Sequence, residues 1–113
     1  MLEKMEQVIL LKDFYGPLLT PKQQEVLNLH YEQDWSLSEI AEHWQISRQA
    51  VFDLIKRSQN ALQDYEDRLH LVKKFNFTRQ KIDEAYSLLN SSTGDEVIIK
   101  QVQGILKTVS ESI

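Results

Sequence analysis

Five side chains in one short stretch of the chain have the chemistry needed to contact a nucleic acid. Arginine and glutamine can form hydrogen bonds with base edges, and lysine and arginine hold backbone phosphates through their positive charge. An aromatic ring can stack on an unpaired base. The stretch therefore predicts a nucleic-acid-binding site, for DNA or RNA, formed by Arg48, Gln49, Phe52, Lys56 and Arg57.

Two residues of the same stretch leave a second interpretation open. Asp53 places a carboxylate where a phosphate would approach, and Phe52 lacks the polar atoms that read a base edge. The Phe52 ring could instead anchor a protein partner, or it could simply widen the apolar face of its helix. The alternative hypothesis is thus a protein–protein interaction module in which the helices serve as a scaffold.

The charge of the whole chain restricts where such a site can lie. Thirteen lysines and arginines stand against 17 aspartates and glutamates, which gives a net charge of −4 and a pI near 5.3. This is the wrong sign for a protein whose whole surface binds phosphates. Any nucleic-acid site must therefore be a local patch.

Residues suited to catalysis or metal binding are scarce. The chain has no cysteine and only three glycines, which excludes disulfides and thiolate sites and leaves little material for a phosphate-binding loop. His30, His43 and His70 are far apart, and no third ligand stands at metal-binding spacing beside Glu39 and His43. We therefore expect no enzyme activity, no metal and no cofactor.

Three polar residues mark the starts of helices around the candidate site. Thr20 with Gln23, and Ser36 with Glu39, have the spacing of capping boxes. Ser47 is a favourable N-cap for a further helix. The sequence therefore predicts helices that begin directly after residues 20, 36 and 47.

The second and third of these helices are close enough to form a helix-turn-helix. Leu37, Ile40, Ala41 and Trp44 lie on one face of a helix of about two turns, and Ser47 leaves room only for a sharp turn. Ala41 is small, as the position that faces the next helix requires. The first residues of that next helix would then enter a major groove.

A heptad pattern extends the helix that begins at Arg48. Its length would be about 28 residues, or roughly 40 Å, which exceeds the width of a small domain. We expect this apolar seam to pack partly on the chain's own C-terminal helices and partly on a second chain, in a homodimer. The seam consists of Val51, Ile55, Ser58, Leu62, Tyr65, Leu69 and Val72.

The remaining residues predict a C-terminal helical extension. Thr78 can cap a helix that ends near residues 90–94, and Asp95 precedes a last apolar stripe that contains Gly104. We predict an all-α fold with a helix-turn-helix that lacks a wing. The helix-turn-helix domain spans residues 1–75 and includes the long recognition helix. Residues 76–113 form a helical extension that packs on this domain or on a second chain.

The N-terminal residues have the character of neither a signal peptide nor a membrane span. Charged residues at positions 3, 4, 6 and 12 interrupt every apolar run. We therefore expect a cytoplasmic protein that does not insert into membranes.

Two resemblances add to this interpretation. The segment from Leu19 to Leu69 resembles the region-4 helix-turn-helix of bacterial sigma factors. With its DFYGPLLTPKQ, SRQAVFDLIKR and DYEDRL segments and residues 75–79, the chain as a whole is similar to the YlxM family. That family consists of small helix-turn-helix regulators typically encoded beside the GTPases of the signal recognition particle pathway. The resemblance implies a role with components of that pathway.

The chain departs from sigma region 4 at functional positions. Gln45 stands where the turn usually has glycine, so it must adopt a left-handed conformation or use a different turn. Ala50, Phe52 and Asp53 stand where sigma factors carry arginine or glutamine for promoter readout. Promoter recognition of the sigma type is therefore not expected.

Overall fold

The computed structural model describes residues 2–91 and 95–112, and these residues form helices and connecting turns without a strand. The all-α prediction is confirmed. The chain divides into two compact units, Met1–His70 (the HTH unit) and Leu71–Ile113 (the C-terminal unit). This division lies five residues before the predicted domain boundary. The helices are α1 (Leu2–Tyr15), α2 (Pro21–Leu27), α3 (Leu37–Trp44) and α4 (Arg48–Leu69) in the HTH unit, and α5 (Leu71–Ser91) and α6 (Glu96–Ser112) in the C-terminal unit.

Side-chain caps set the starts of α2 and α3, as the sequence predicted. The hydroxyl of Thr20 accepts a hydrogen bond from the backbone N–H of Gln23 (3.2 Å), and the Gln23 side chain accepts one from the Thr20 N–H (3.0 Å). Ser36 and Glu39 form the same reciprocal pair, with both distances 3.1 Å. Since these bonds satisfy N–H groups that a helix start leaves unpaired, they confirm both capping boxes.

The helix α2 continues into a π-helical turn, Asn28–Glu32, which the sequence did not predict. The salt bridge between Lys12 and Glu32 (2.6 Å) connects this turn to α1. Asp34, just after the turn, has a left-handed backbone (φ 58°), and the Trp35 N–H donates to the Leu29 carbonyl (2.9 Å). These contacts set the path of the chain into α3.

The core of the HTH unit is centred on the first half of α4. Ser58 is its polar member, and its hydroxyl donates to the Leu54 carbonyl (2.7 Å), so its burial leaves no unpaired group. Ala41 is buried on α3, which packs against α4, as predicted for a small residue between two close helices. The α4 side chains of this core are Val51, Ile55, Ser58 and Leu62.

Tyr15 connects α1 to the second half of α4. Its side chain is fully buried, and its hydroxyl donates to Oε1 of Glu66 (2.5 Å). Its ring stacks on Tyr65 with the ring centroids 6.0 Å apart. The apolar body and the polar end of this tyrosine therefore both have partners in the unit.

The prediction of a helix of about 28 residues was wrong, because α4 ends at Leu69 after 22 residues. His70 adopts a left-handed conformation (φ 57°), and its N–H donates to the Glu66 carbonyl (2.8 Å). The seam is buried only as far as Leu62; Tyr65 is half-buried and Leu69 is exposed. Beyond Leu62 there is little burial in this unit to favour a longer helix.

The predicted helix start at Thr78 was also wrong. The helix α5 begins at Leu71 and passes through Phe75, Phe77 and Thr78 without interruption. It packs against α6, which forms despite Gly104 and its β-branched residues. Of the predicted stop at residues 90–94, residues 90 and 91 still belong to α5, and residues 92–94 lie outside the described residues.

Candidate nucleic-acid interface

The turn between α3 and α4 is left-handed at Gln45 (φ 55°, ψ 45°), the position where sigma factors usually have glycine. The Gln45 N–H donates to the Glu42 carbonyl (3.3 Å), and the Ile46 N–H donates to the Ala41 carbonyl (3.0 Å). These two bonds form a Schellman motif, which ends α3 sharply enough for Ser47 to start the next helix.

We expect Gln45→Gly to stabilise the HTH unit. A left-handed conformation costs a non-glycine residue about 1–2 kcal/mol, and glycine removes this cost. Glycine also gives the unfolded chain more freedom, which offsets about 0.4–1 kcal/mol of the gain. The free energy of unfolding in urea, followed by tryptophan fluorescence, should therefore rise by roughly 0.5–1 kcal/mol. The matched control is Gln33→Gly, at a residue with a negative φ (−104°). That change should lower stability, and an equal rise in both variants would contradict the strain argument.

The first turn of α4 exposes two of the predicted site residues. The Ser47 hydroxyl accepts a hydrogen bond from the Ala50 N–H (3.0 Å), which places Arg48 and Gln49 at the first two helical positions. Both side chains are exposed. In a helix-turn-helix these positions face the bases of the groove.

Asp53 holds the side chain of Gln49. Nε2 of Gln49 donates to Oδ1 of Asp53 (2.9 Å), one helical turn later. The second N–H and the carbonyl oxygen of Gln49 are the donor and the acceptor that a glutamine uses on adenine. Asp53, which opposes phosphate binding by its charge, thus also orients a side chain that was predicted to read bases.

Lys56 and Arg57 lie one turn further along the same helix, and both are exposed. Together with Ala50 and Asp53 they line a shallow surface concavity of about 450 Å³. Two adjacent cations at its edge can hold a phosphate group, whereas Asp53 restricts the approach on the other side.

The ring of Phe52 does not belong to the core, since 48% of the residue is exposed. Half-exposed aromatic rings are common on protein surfaces, so this exposure also fits a ring that merely widens the apolar face of α4. Phe52 lies four residues after Arg48 and so shares that flank of α4. The ring is available for stacking on a base or for contact with a protein.

Several contacts beside the interface were not predicted from the sequence. Nζ of Lys22 lies 3.8 Å from the ring centroid of Trp44, and the His43 ring meets Trp35 edge-on at 5.2 Å. Nδ1 of His30 donates to the Trp35 carbonyl (2.8 Å). None of these pairs has the three- or four-residue spacing of neighbours on a helix, so local spacing gave no sign of them.

Two ionisable groups of the HTH unit have shifted pKa values. Hydrogen bonds from the Ser36 backbone N–H and side chain lower the pKa of Glu39, so this carboxylate at the start of α3 stays charged at neutral pH. Burial raises the pKa of Tyr31, and a hydrogen bond from the Gln59 side chain opposes that rise. Tyr31 therefore remains neutral over the physiological range.

The HTH unit as a whole is acidic. Residues 1–70 contain seven lysines and arginines and 12 aspartates and glutamates, a net charge of −5. The remaining residues contain six lysines and arginines and five aspartates and glutamates, a net charge of +1. The exposed cations of α4 are thus a small basic area within an acidic unit.

The described residues contain no group of three potential metal ligands among histidine, aspartate and glutamate. Within residues 2–91 and 95–112, no helix is both long enough and apolar enough to cross a membrane.

The sequence of the chain matches a family of known proteins. The model of the UPF0122 family, described as "Putative helix-turn-helix protein, YlxM / p13 like", matches residues 2–105. The UPF0122 protein YlxM of Bacillus subtilis is 41% identical over 106 residues, which cover 94% of this chain and 96% of the relative. UPF0122 proteins of Pediococcus pentosaceus (42% identity, 88% of each chain) and Limosilactobacillus reuteri (39% identity, 97% of each chain) are similarly related. A family model that covers nearly the whole chain, with such relatives, shows that this chain belongs to the YlxM/p13-like helix-turn-helix family UPF0122.

Proposed function

We propose that this chain is a regulatory nucleic-acid-binding protein that acts by binding and not by catalysis. The observation that supports the proposal is the exposure of Arg48, Gln49, Lys56 and Arg57 at the N-terminal half of α4, directly after a helix-turn-helix turn. Arg48 and Gln49 read base edges, and Lys56 and Arg57 hold phosphate. The Phe52 ring stacks on a base beside Arg48.

The family gives this proposal its context. Because YlxM proteins are typically encoded beside the GTPases of the signal recognition particle pathway, we propose that the chain acts in the cytoplasm on a component of that pathway. The RNA of the particle is then the first ligand to test. We also propose that the functional form is a homodimer, which would present two recognition helices to the ligand.

The binding test is a fluorescence-anisotropy titration against random duplex DNA, a two-fold repeated duplex and the signal recognition particle RNA, at low and near-physiological salt. We expect affinity to fall as salt rises. Removing both a base-reading and a phosphate-holding side chain, in Arg48→Ala/Lys56→Ala, should weaken binding by about tenfold or more and reduce the salt slope by about one.

The matched control for this test is Lys100→Ala/Lys107→Ala, which removes the same charge from exposed positions of α6. It should bind as the unchanged protein does. An equal loss in both double variants would mean that binding depends on total charge and not on the α4 site. The preferred ligand separates a DNA reader, which favours the repeated duplex, from an RNA binder, which favours looped RNA.

The second candidate function is a protein-interaction module, which the exposed Phe52 and the net charge of −5 on the HTH unit favour. It predicts no binding to these nucleic acids even at low salt. It also predicts that capture of the signal recognition particle GTPase survives Arg48→Ala/Lys56→Ala but is lost in Phe52→Ala.

A further inference from the structure

One side of α5 exposes a stripe of four large apolar side chains. Successive members are seven, four and three residues apart, so they lie within about 60° of the helix circumference and extend over roughly 21 Å. A clustered apolar surface of this kind indicates an interaction site. We call it the α5 stripe; its members and their exposed fractions are Phe75 (41%), Ile82 (50%), Tyr86 (66%) and Leu89 (51%).

The C-terminal unit contains little core of its own. Of its described apolar residues, Ala85, Val102 and Val109 are buried. Two packed helices of 21 and 17 residues with so small a core are marginally stable in water. Covering the α5 stripe would supply apolar burial that α5 and α6 do not obtain from each other.

We propose that the α5 stripe binds the same stripe of a second copy, antiparallel, with the two-fold axis at Ile82. In this arrangement Ile82 meets its own symmetry mate, and Phe75 of each copy faces Leu89 of the other. The ends of the stripe are then covered symmetrically, as an isologous interface requires.

The charges beside the stripe fit this pairing. Arg79 and Asp83 both lie along one edge of the α5 stripe. Neither forms a salt bridge with another described residue. When two helices pair antiparallel through one face, each edge meets the same edge of the partner. Asp83 of one copy then faces a point on the other helix that is about 3 Å from Arg79 along the helix axis. The long arginine side chain can span this offset and reach the carboxylate. A two-fold pair makes this contact twice.

This inference rests on the proposed homodimer and deepens it by naming the surface and the direction of pairing. It also replaces the expected dimer contact through the α4 seam, which the HTH unit buries in its own core from Val51 to Leu62. No nucleic acid takes part in the pairing, so its test is independent of the binding experiment.

Single cysteines test the direction of pairing, because the chain has none of its own. Ile82→Cys places two thiols at the axis, whereas the two thiols of Leu89→Cys lie about 21 Å apart along the antiparallel pair. Under mild oxidation, we expect most of the Ile82→Cys chains, and few of the Leu89→Cys chains, to run as disulfide-linked dimers without reductant. Equal cross-linking of both variants, or of neither, would overturn the antiparallel arrangement about Ile82.

Light scattering after size exclusion tests the surface itself. The unchanged chain should have twice the 13.3 kDa mass of one copy. Ile82→Glu, which brings two carboxylates together at the axis, should halve the mass, whereas Leu106→Glu at an exposed site of α6 (51%) should leave it unchanged. A monomeric unchanged chain would overturn the homodimer, and a dimer that survives Ile82→Glu would overturn this surface alone.

Discussion

Replacing Leu62 with alanine should lower the free energy of unfolding of the HTH unit by about 3–4 kcal/mol. Leu62 is fully buried in α4, within a core that also includes Val51 and Ile55. The change removes apolar burial and leaves a cavity, and such changes at buried leucines cost about 2–5 kcal/mol. A loss of this size is a large part of the stability of a small domain.

The effect of Leu62→Ala can be measured in this unit alone. The chain's two tryptophans, Trp35 and Trp44, both lie in the HTH unit, so their fluorescence during urea unfolding reports on that unit. Leu69→Ala, the same substitution on the same helix at a residue that is 45% exposed, should cost less than about 1 kcal/mol. Equal costs for the two variants would contradict the burial assigned to Leu62.

Replacing Tyr15 with alanine should be comparably destabilising, by about 3–5 kcal/mol. The change removes a fully buried ring, its stacking on Tyr65 and its hydrogen bond to Glu66. Because these contacts join α1 to α4, we also expect α1 to lose amide-exchange protection before the rest of the unit.

Tyr15→Phe separates the ring from the hydroxyl. It keeps the buried ring and removes only the hydrogen bond to the Glu66 carboxylate, which is worth about 1.5–3 kcal/mol. The urea midpoint should therefore fall between those of the unchanged chain and Tyr15→Ala. If the two variants were equally unstable, the stabilisation would reside in the hydrogen bond and not in the packing of the ring.

The starts of α2, α3 and α4 could be predicted from sequence because local chemistry determines them. The hydroxyls of Thr20, Ser36 and Ser47 each satisfy an N–H three residues later, whatever the rest of the fold does. The exposure of the α4 site residues followed from the spacing of the buried ones. The bond between Gln49 and Asp53 has a four-residue signature and could also have been anticipated.

The ends and irregularities of helices were harder to predict because they depend on tertiary burial. No glycine or proline marks the end of α4 at His70, and the heptad pattern continues through it. Thr78 would be a cap only if the residues before it left the helix, which they do not. The π-helical turn after Leu27 and the stacking of Lys22 on Trp44 likewise have no local signal.

The acidity of the HTH unit bears on how many copies of the protein are free inside a cell. A chromosome offers about 10⁶–10⁹ competing sites, and a uniformly basic helix-turn-helix protein would spend most of its time on them. A unit that carries −5 overall gains little from random phosphates, while the few cations that we propose bind nucleic acid still act at contact distance. Most copies would then remain unsequestered, and a modest cellular abundance would suffice to occupy one scarce ligand.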